Sequence, residues 1–175
     1  QITLSNGSVL KNILWTETGS IKDATLTDTQ GREFIYRDGI VSEVTLEDGS
    51  HIKNILWDAN RLAQNALLTD TFGNEFTFVN RFIDHVKLPD GSILQNITWD
   101  AQGALQNALL IKGNNTFHYL NNQIQTIETP EGLLESIVWT TDGHIQDGLF
   151  TDPQGNRFTI SNGEVTRIVL PNSGP

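Results

Sequence analysis

The sequence of 175 residues contains no cysteine and no methionine. Without thiols, neither disulfides nor thiolate metal sites can hold the fold, so the sequence predicts no zinc site and no cofactor. A chain that begins at Gln1 and has no methionine is expected to be a mature or excised segment of a longer protein.

Basic residues are also scarce. The chain has 11 Lys and Arg residues and 21 Asp and Glu residues, which gives a formal charge of −10. Such a chain repels phosphate backbones, so nucleic acid is a poor partner. The sequence has no apolar run approaching the roughly 20 residues of a membrane helix, which argues against membrane insertion. We expect a single β-repeat domain over residues 1–175, of undetermined oligomeric state.

The dominant feature is an internal repeat. Trp15, Trp57, Trp99 and Trp139 recur at spacings of 42, 42 and 40 within similar phrases, such as KNILWTETG and KNILWDANR. Self-similarity at a fixed period is typical of repeat architectures. It divides the chain into units of about 1–44, 45–86, 87–127 and 128–175.

Each unit splits again into two halves of about 21 residues, and in each half a leading Gly is followed nine positions later by a polar turn residue. Gly19 to Asp28 and Gly163 to Asn172 fit this pattern, whereas Arg61 and Arg81 replace the leading Gly. Apolar residues within each half alternate with a period of two, which predicts strands and no helix.

Asp-Gly and Asn-Gly pairs between these runs supply the positive φ of tight hairpins. The sequence therefore predicts an all-β fold of eight tandem β-hairpins that form a rolled antiparallel sheet. A four-bladed β-propeller is the alternative. Both chain ends lie within the same half-repeat. This arrangement is compatible with a sheet that closes into a ring and with an open array.

The two sheet faces are expected to differ. One carries Trp, Phe, Leu and Ile. The other mixes polar residues such as Asn12 and Glu33 with a few apolar ones, namely Leu14, Leu67 and Leu109. Because a lone hairpin is marginally stable in water, stability must come from stacking of the copies.

The phrases WDAQGALQNALL and TDPQGNRFTISNGEVTRIVLP resemble the YD repeats of Rhs-type bacterial surface and toxin-shell proteins. In that family a Tyr-Asp phrase opens each hairpin. Here Trp57-Asp58 and Trp99-Asp100 stand at that place, and Thr16 and Thr140 replace the Asp in the other units. The resemblance implies a β-hairpin strip in a secreted or cell-surface protein.

No constellation of residues predicts catalysis. His51, His85, His118 and His144 occupy four different repeat positions, and no Gly-x-Ser-x-Gly phrase occurs. The recurring turn acids could offer oxygen ligands to calcium, but we expect each to accept N–H bonds of its own turn. These acids are Asp28, Asp48, Asp70, Asp90, Glu131 and Asp152. The chain is therefore not expected to be an enzyme.

The four Trp residues allow two interpretations. They fill the core beside an Ile two positions earlier, which we favour for Trp57 and Trp99, or they are ligand-binding residues that stack sugar rings. The sequence thus supports two functions. The first is a non-catalytic scaffold or protein-interaction module of a secreted or surface bacterial protein. The alternative is a multivalent carbohydrate-binding module, with a glycan as partner.

Overall fold

The computed structural model describes residues 1–171, and every regular element in this range is a β-strand. The all-β prediction is therefore confirmed. No helix among these residues has the length and apolar character needed to cross a membrane. The turn residue predicted at Asn172 lies outside the described range.

The chain divides into two compact units, Gln1–Pro89 and Asp90–Pro175. Unit 1 contains β1 (Ile2–Thr3), β2 (Val9–Trp15), β3 (Ile21–Thr27), β4 (Glu33–Arg37), β5 (Ile40–Thr45), β6 (His51–Trp57), β7 (Ala63–Thr69), β8 (Glu75–Val79) and β9 (Phe82–Lys87). Unit 2 contains β10 (Ile93–Trp99), β11 (Leu105–Lys112), β12 (Asn115–Leu120), β13 (Gln123–Thr129), β14 (Gly132–Trp139), β15 (Ile145–Thr151), β16 (Arg157–Ser161) and β17 (Glu164–Val169).

Within each unit, every strand pairs antiparallel with the strand that follows it in sequence. In unit 1, β5 pairs with β6 through Val44↔Ile52, across the predicted border between two repeats. In unit 2, β13 pairs with β14 in the same way through Ile127↔Leu134. The hairpins therefore form a continuous meander within each unit, and the separate four-stranded blades of a propeller do not form.

Two kinds of turn join the strands. The first is a five-residue loop such as 28–32, in which Asp28 N–H donates to the Arg32 carbonyl and Gly31 N–H donates to the Asp28 carbonyl. The second is a two-residue turn such as Asp38-Gly39, with φ values of 48° and 77°. Two successive positive φ values are the signature of a type I′ hairpin, as the Asp-Gly pair predicts.

The strand register places one apolar residue of each strand in a continuous row, which we call the apolar row. Directly paired residues lie on the same face of a sheet, so the row defines the apolar face. Its members in unit 1 are Ile2, Leu10, Leu26, Phe34, Val44, Ile52, Leu68, Phe76 and Val86. Its members in unit 2 are Leu94, Leu110, Phe117, Ile127, Leu134, Phe150, Phe158 and Ile168.

The opposite, polar face carries Thr, Glu, His and Lys side chains. Leu67 pairs there with Thr77, Leu109 with His118, and Leu14 with Asp23. The predicted placement of these leucines on the polar face is therefore confirmed.

Few side chains are fully enclosed. The buried apolar residues are Leu10, Ala24, Val86, Ala108 and Ile137. Most members of the apolar row are half-buried, and Ile168 is 58% exposed. In a two-layered domain a second sheet or a helix would cover such a face. Here the cross-strand contacts within the row cover it only in part.

One glycine in a strand allows a test of this packing. Gly148 stands where the other repeats have Ala24, Ala66 and Ala108, and a Cβ at Gly148 would lie 3.2 Å from Leu134 Cδ1. Since a strand glycine costs about 0.5–1 kcal/mol relative to alanine, Gly148→Ala should raise the free energy of unfolding by about 0.5 kcal/mol. Urea denaturation measures this change, with Ala108→Gly as the reverse control. A lowered midpoint for Gly148→Ala would show that Leu134 cannot make room.

Candidate functional site

The four Trp residues occupy equivalent places at the ends of their strands. Each pairs with a residue of the following strand, in the pairs Trp15↔Ile21, Trp57↔Ala63, Trp99↔Leu105 and Trp139↔Ile145. A β-bulge precedes each Trp at a residue with positive φ, and these residues are Asn12, Asn54, Asn96 and Ser136. Bulges of this kind redirect the side chains that follow them.

Two of the indole N–H groups donate a hydrogen bond to the hairpin that precedes their own in sequence. Trp57 Nε1 donates to the Val41 carbonyl at 2.8 Å, and Trp139 Nε1 donates to the Ile124 carbonyl at 2.8 Å. Both rings are half-buried. Each of these Trp side chains thus joins two successive hairpins of its unit.

The other two indoles are more exposed, at 51% for Trp15 and 47% for Trp99. The interpretation of Trp99 as a filler of the core is therefore wrong, because nearly half of the side chain contacts solvent. Trp57 fits that interpretation only in part. The physical reason is that the apolar face has one layer, so a large ring at its border stays open on one side.

Trp57 lines an apolar groove of about 520 Å³ in unit 1. The other residues that line it are Val44, Ile52, Ile55, Leu62, Ala63, Gln64, Asn65, Ala66, Leu68, Phe78 and Arg81. A volume of this size lies within the usual range of small-molecule sites, about 300–1,000 Å³.

Arg81 is the charged residue of this groove, and it forms an ion pair with Asp58. Asp58 also accepts the backbone N–H groups of Leu62 and Asn60. The Leu62 hydrogen bond above all, with those of Asn60 and Arg81, holds the pKa of Asp58 below its ordinary value. The carboxylate is therefore ionised at neutral pH and fixes one side of the Arg81 guanidinium.

Trp15 borders a different kind of depression, of about 540 Å³. Its lining is more polar than that of the Trp57 groove and includes Glu17, Ser20, Lys22 and Asp38. Although their sequence positions are equivalent, Trp15 and Trp57 therefore offer different chemistry to a ligand.

The four histidines each lie beside a carboxylate. His51 Nε2 is 3.2 Å from Glu43, and His85 Nδ1 is 2.8 Å from Asp84. His144 Nδ1 lies 3.2 Å from Asp142, and His118 Nε2 lies 3.4 Å from Glu128 without forming a hydrogen bond. Within residues 1–171, no group of three or more His, Cys, Asp or Glu side chains is arranged to hold a metal ion.

The turn acids accept the N–H groups of their own loops, as predicted. Asp70 Oδ1, for example, accepts Phe72 N–H and Asn74 N–H at 2.9 Å. The side-chain amide of Asn74 contributes most to lowering the pKa of Asp70. Asp28 and Asp152 accept the same two N–H groups of their loops. Asp48 and Asp90 each accept one, from Ser50 and Ser92 respectively.

Glu131 is the exception among these acids. Its own N–H donates to Thr129 Oγ1 at 3.2 Å, so the threonine hydroxyl takes the part that the aspartate has elsewhere.

Sequence reasoning identified Trp57 and Arg81 individually but did not place them together at one groove. Arg61 and Arg81 were visible as replacements of a repeat Gly, and Ala63 as a small residue opposite a Trp. Both arginines adopt left-handed backbone, with φ of 60° and 72°. For an L-residue this conformation costs about 1–2 kcal/mol, and such strain occurs often at functional sites.

No protein-family model matches the chain, and no curated protein matches it. The solved structures to which the chain is similar include the TCP10 domain of Danio rerio CPAP. It is 15% identical, with 97% of this chain and 99% of that chain covered and a TM-score of 0.48.

The same domain in complex with a peptide of Danio rerio STIL is 14% identical. The match covers 97% of this chain and 98% of that chain, and the TM-score is 0.36. The TCP10c domain of Drosophila melanogaster Sas-4 is 12% identical, with 92% and 97% covered and a TM-score of 0.32.

Proposed function

We propose that this protein is a non-catalytic β-repeat scaffold whose apolar face binds a protein partner, in a secreted or cell-surface setting. The observation that supports the proposal is the apolar row, which continues from strand to strand within each unit and stays half-exposed. Contiguous exposed apolar surface of this kind marks interaction sites in soluble proteins. The Rhs-like phrases are the support for the location.

The negative charge of the chain indicates which kind of protein partner would complement it. The chain carries a formal charge of −10. Acidic residues also lie in the turns at the ends of the strands, for example Asp28, Asp48, Asp70 and Asp152. A partner with an apolar surface bordered by Lys or Arg complements both features, and opposite charge speeds the encounter of two proteins.

A photo-crosslinking experiment tests the proposal. p-Benzoylphenylalanine is placed at Tyr36 on the apolar face or at Ile35 on the polar face, in cells that produce the protein. A protein crosslinked from Tyr36 and not from Ile35 is then purified and titrated calorimetrically against the chain. Crosslinking that is equal from both faces, or absent, would contradict the proposal.

A matched pair of leucine variants completes the test with the purified partner. Leu62, at the groove, is 51% exposed, and Leu56, which pairs with Asn65, is 53% exposed. Leu62→Arg should weaken binding at least about tenfold, because it places a charge on the apolar face. Leu56→Arg should leave the affinity unchanged. Equal effects of the two changes would place the partner elsewhere.

A carbohydrate-binding function is the second candidate, and the polar depression at Trp15 favours it. Glu17, Ser20, Lys22 and Asp38 offer hydrogen-bonding groups to sugar hydroxyls beside an exposed indole. A glycan array tests this candidate. Saturable binding that Trp15→Ala abolishes would support it, whereas binding that Trp15→Ala leaves intact would exclude this site.

A further inference from the structure

The second repeat differs from the others around Trp57. The residue paired with the Trp is Ile21, Leu105 or Ile145 in the other repeats and Ala63 here. The depression in the first repeat that corresponds to the Trp57 groove is lined by Ile21 and has a volume of about 350 Å³, against about 520 Å³ for the groove. The missing aliphatic side chain thus opens space beside one indole.

The same repeat carries two unusual arginines. Arg61 stands at the place of Gly19, Gly103 and Gly143, and Arg81 at the place of Gly39, Asn122 and Gly163. Both positions require positive φ, which glycine adopts freely and arginine adopts at a cost. Arg81 lines the groove, and Arg61 lines a smaller depression that shares the Trp57 side chain.

The local charge is opposite to that of the whole chain. Arg81 is the charged residue among those that line the groove, and Arg61 is the charged residue of the adjoining depression. Asp58 neutralises one of these two arginines. The Arg81 side chain remains 51% exposed, so its guanidinium keeps donors for a further acceptor.

We propose that this groove binds a small organic carboxylate, with the apolar body between Trp57 and Ala63 and the carboxylate on Arg81. Arginine donates two parallel hydrogen bonds to a carboxylate, and Arg61 adds positive potential. The groove is open on one side, so affinity for a ligand of about ten non-hydrogen atoms is expected to be on the order of 100 μM. This site goes beyond protein binding and requires no partner protein.

Octanoate is a suitable ligand for the test, and 1-octanol is its uncharged counterpart. The chain is labelled with 5-fluorotryptophan and titrated with each compound while the four ¹⁹F resonances are recorded. Octanoate should shift the Trp57 resonance in a saturable manner and leave that of Trp15 in place. Equal, non-saturable shifts of all the resonances would contradict the site.

The variants each introduce a residue that another repeat uses at the same position, so the fold should tolerate them. Ala63→Ile should weaken binding of both compounds at least tenfold because it fills the groove. Arg81→Gly should weaken octanoate about fivefold to tenfold and leave 1-octanol unchanged. Ile21→Ala should open an equivalent groove in the first repeat, which has Gly39 in place of Arg81. That groove should bind 1-octanol and octanoate with equal affinity. An unchanged octanoate affinity in Ala63→Ile or Arg81→Gly would overturn the proposal.

Discussion

Replacing Gly132 with alanine is expected to lower the free energy of unfolding by about 3–5 kcal/mol. Gly132 has a φ of +149°, and a Cβ there would overlap with the Thr151 carbonyl oxygen and lie 2.7 Å from Phe150 Cζ. Backbone strain costs about 1–3 kcal/mol and overpacking a similar amount. The backbone oxygen belongs to a paired strand, so it cannot move away without loss of strand pairing.

Gly103 offers a matched control in the same unit. Its φ is +81°, but a Cβ there would meet nothing within 4 Å. Gly103→Ala should therefore cost only the left-handed backbone penalty, about 1 kcal/mol. Urea denaturation followed by circular dichroism compares the two variants. Similar losses for both would show that the contact with Thr151 has no energetic weight.

The second large effect is expected at Trp57. Trp57→Ala removes a half-buried ring and the hydrogen bond to the Val41 carbonyl, so it should cost about 2–3 kcal/mol. Trp57→Phe keeps most of the apolar contact and should cost about 1 kcal/mol, which is the net value of the hydrogen bond.

Trp15→Ala is the control for this series, because Trp15 is 51% exposed. Its loss should not exceed about 1 kcal/mol. Thermal and urea melts of the three variants give the comparison. If Trp57→Ala and Trp15→Ala destabilise equally, the tie between hairpins through Trp57 contributes nothing to stability.

Much of the fold could be predicted from the sequence because the alternation of apolar residues and the turn-forming pairs are both local signals. The period of two predicted the strands, and pairs such as Asp38-Gly39 predicted the hairpin turns. The polar face could be predicted as well, including Leu67 and Leu109, because the side of a strand follows from the parity of position.

The candidate site could be predicted only in part. A period of two identifies an apolar face but does not reveal whether another layer covers it, so the exposure of Trp99 was not foreseen. The left-handed bulge at Asn12 also has no counterpart in the alternation pattern. Arg81 and Ala63 differed from the repeat pattern, but the groove that both residues line depends on cross-strand register. The resemblance to YD repeats stays a prediction.

The strand register has a consequence for how the protein folds. Within each unit, the paired residues of the described strands that lie farthest apart in sequence are Val9 and Thr27 and their repeat equivalents, such as His51 and Thr69. Most β-proteins fold slowly because segments that are distant in sequence must lose conformational entropy before they form stabilising contacts. Here each hairpin closes a short loop and offers a template to the next one. Each unit can therefore begin to fold at any of its hairpins and, under a pulling force, is expected to lose its strands one after another.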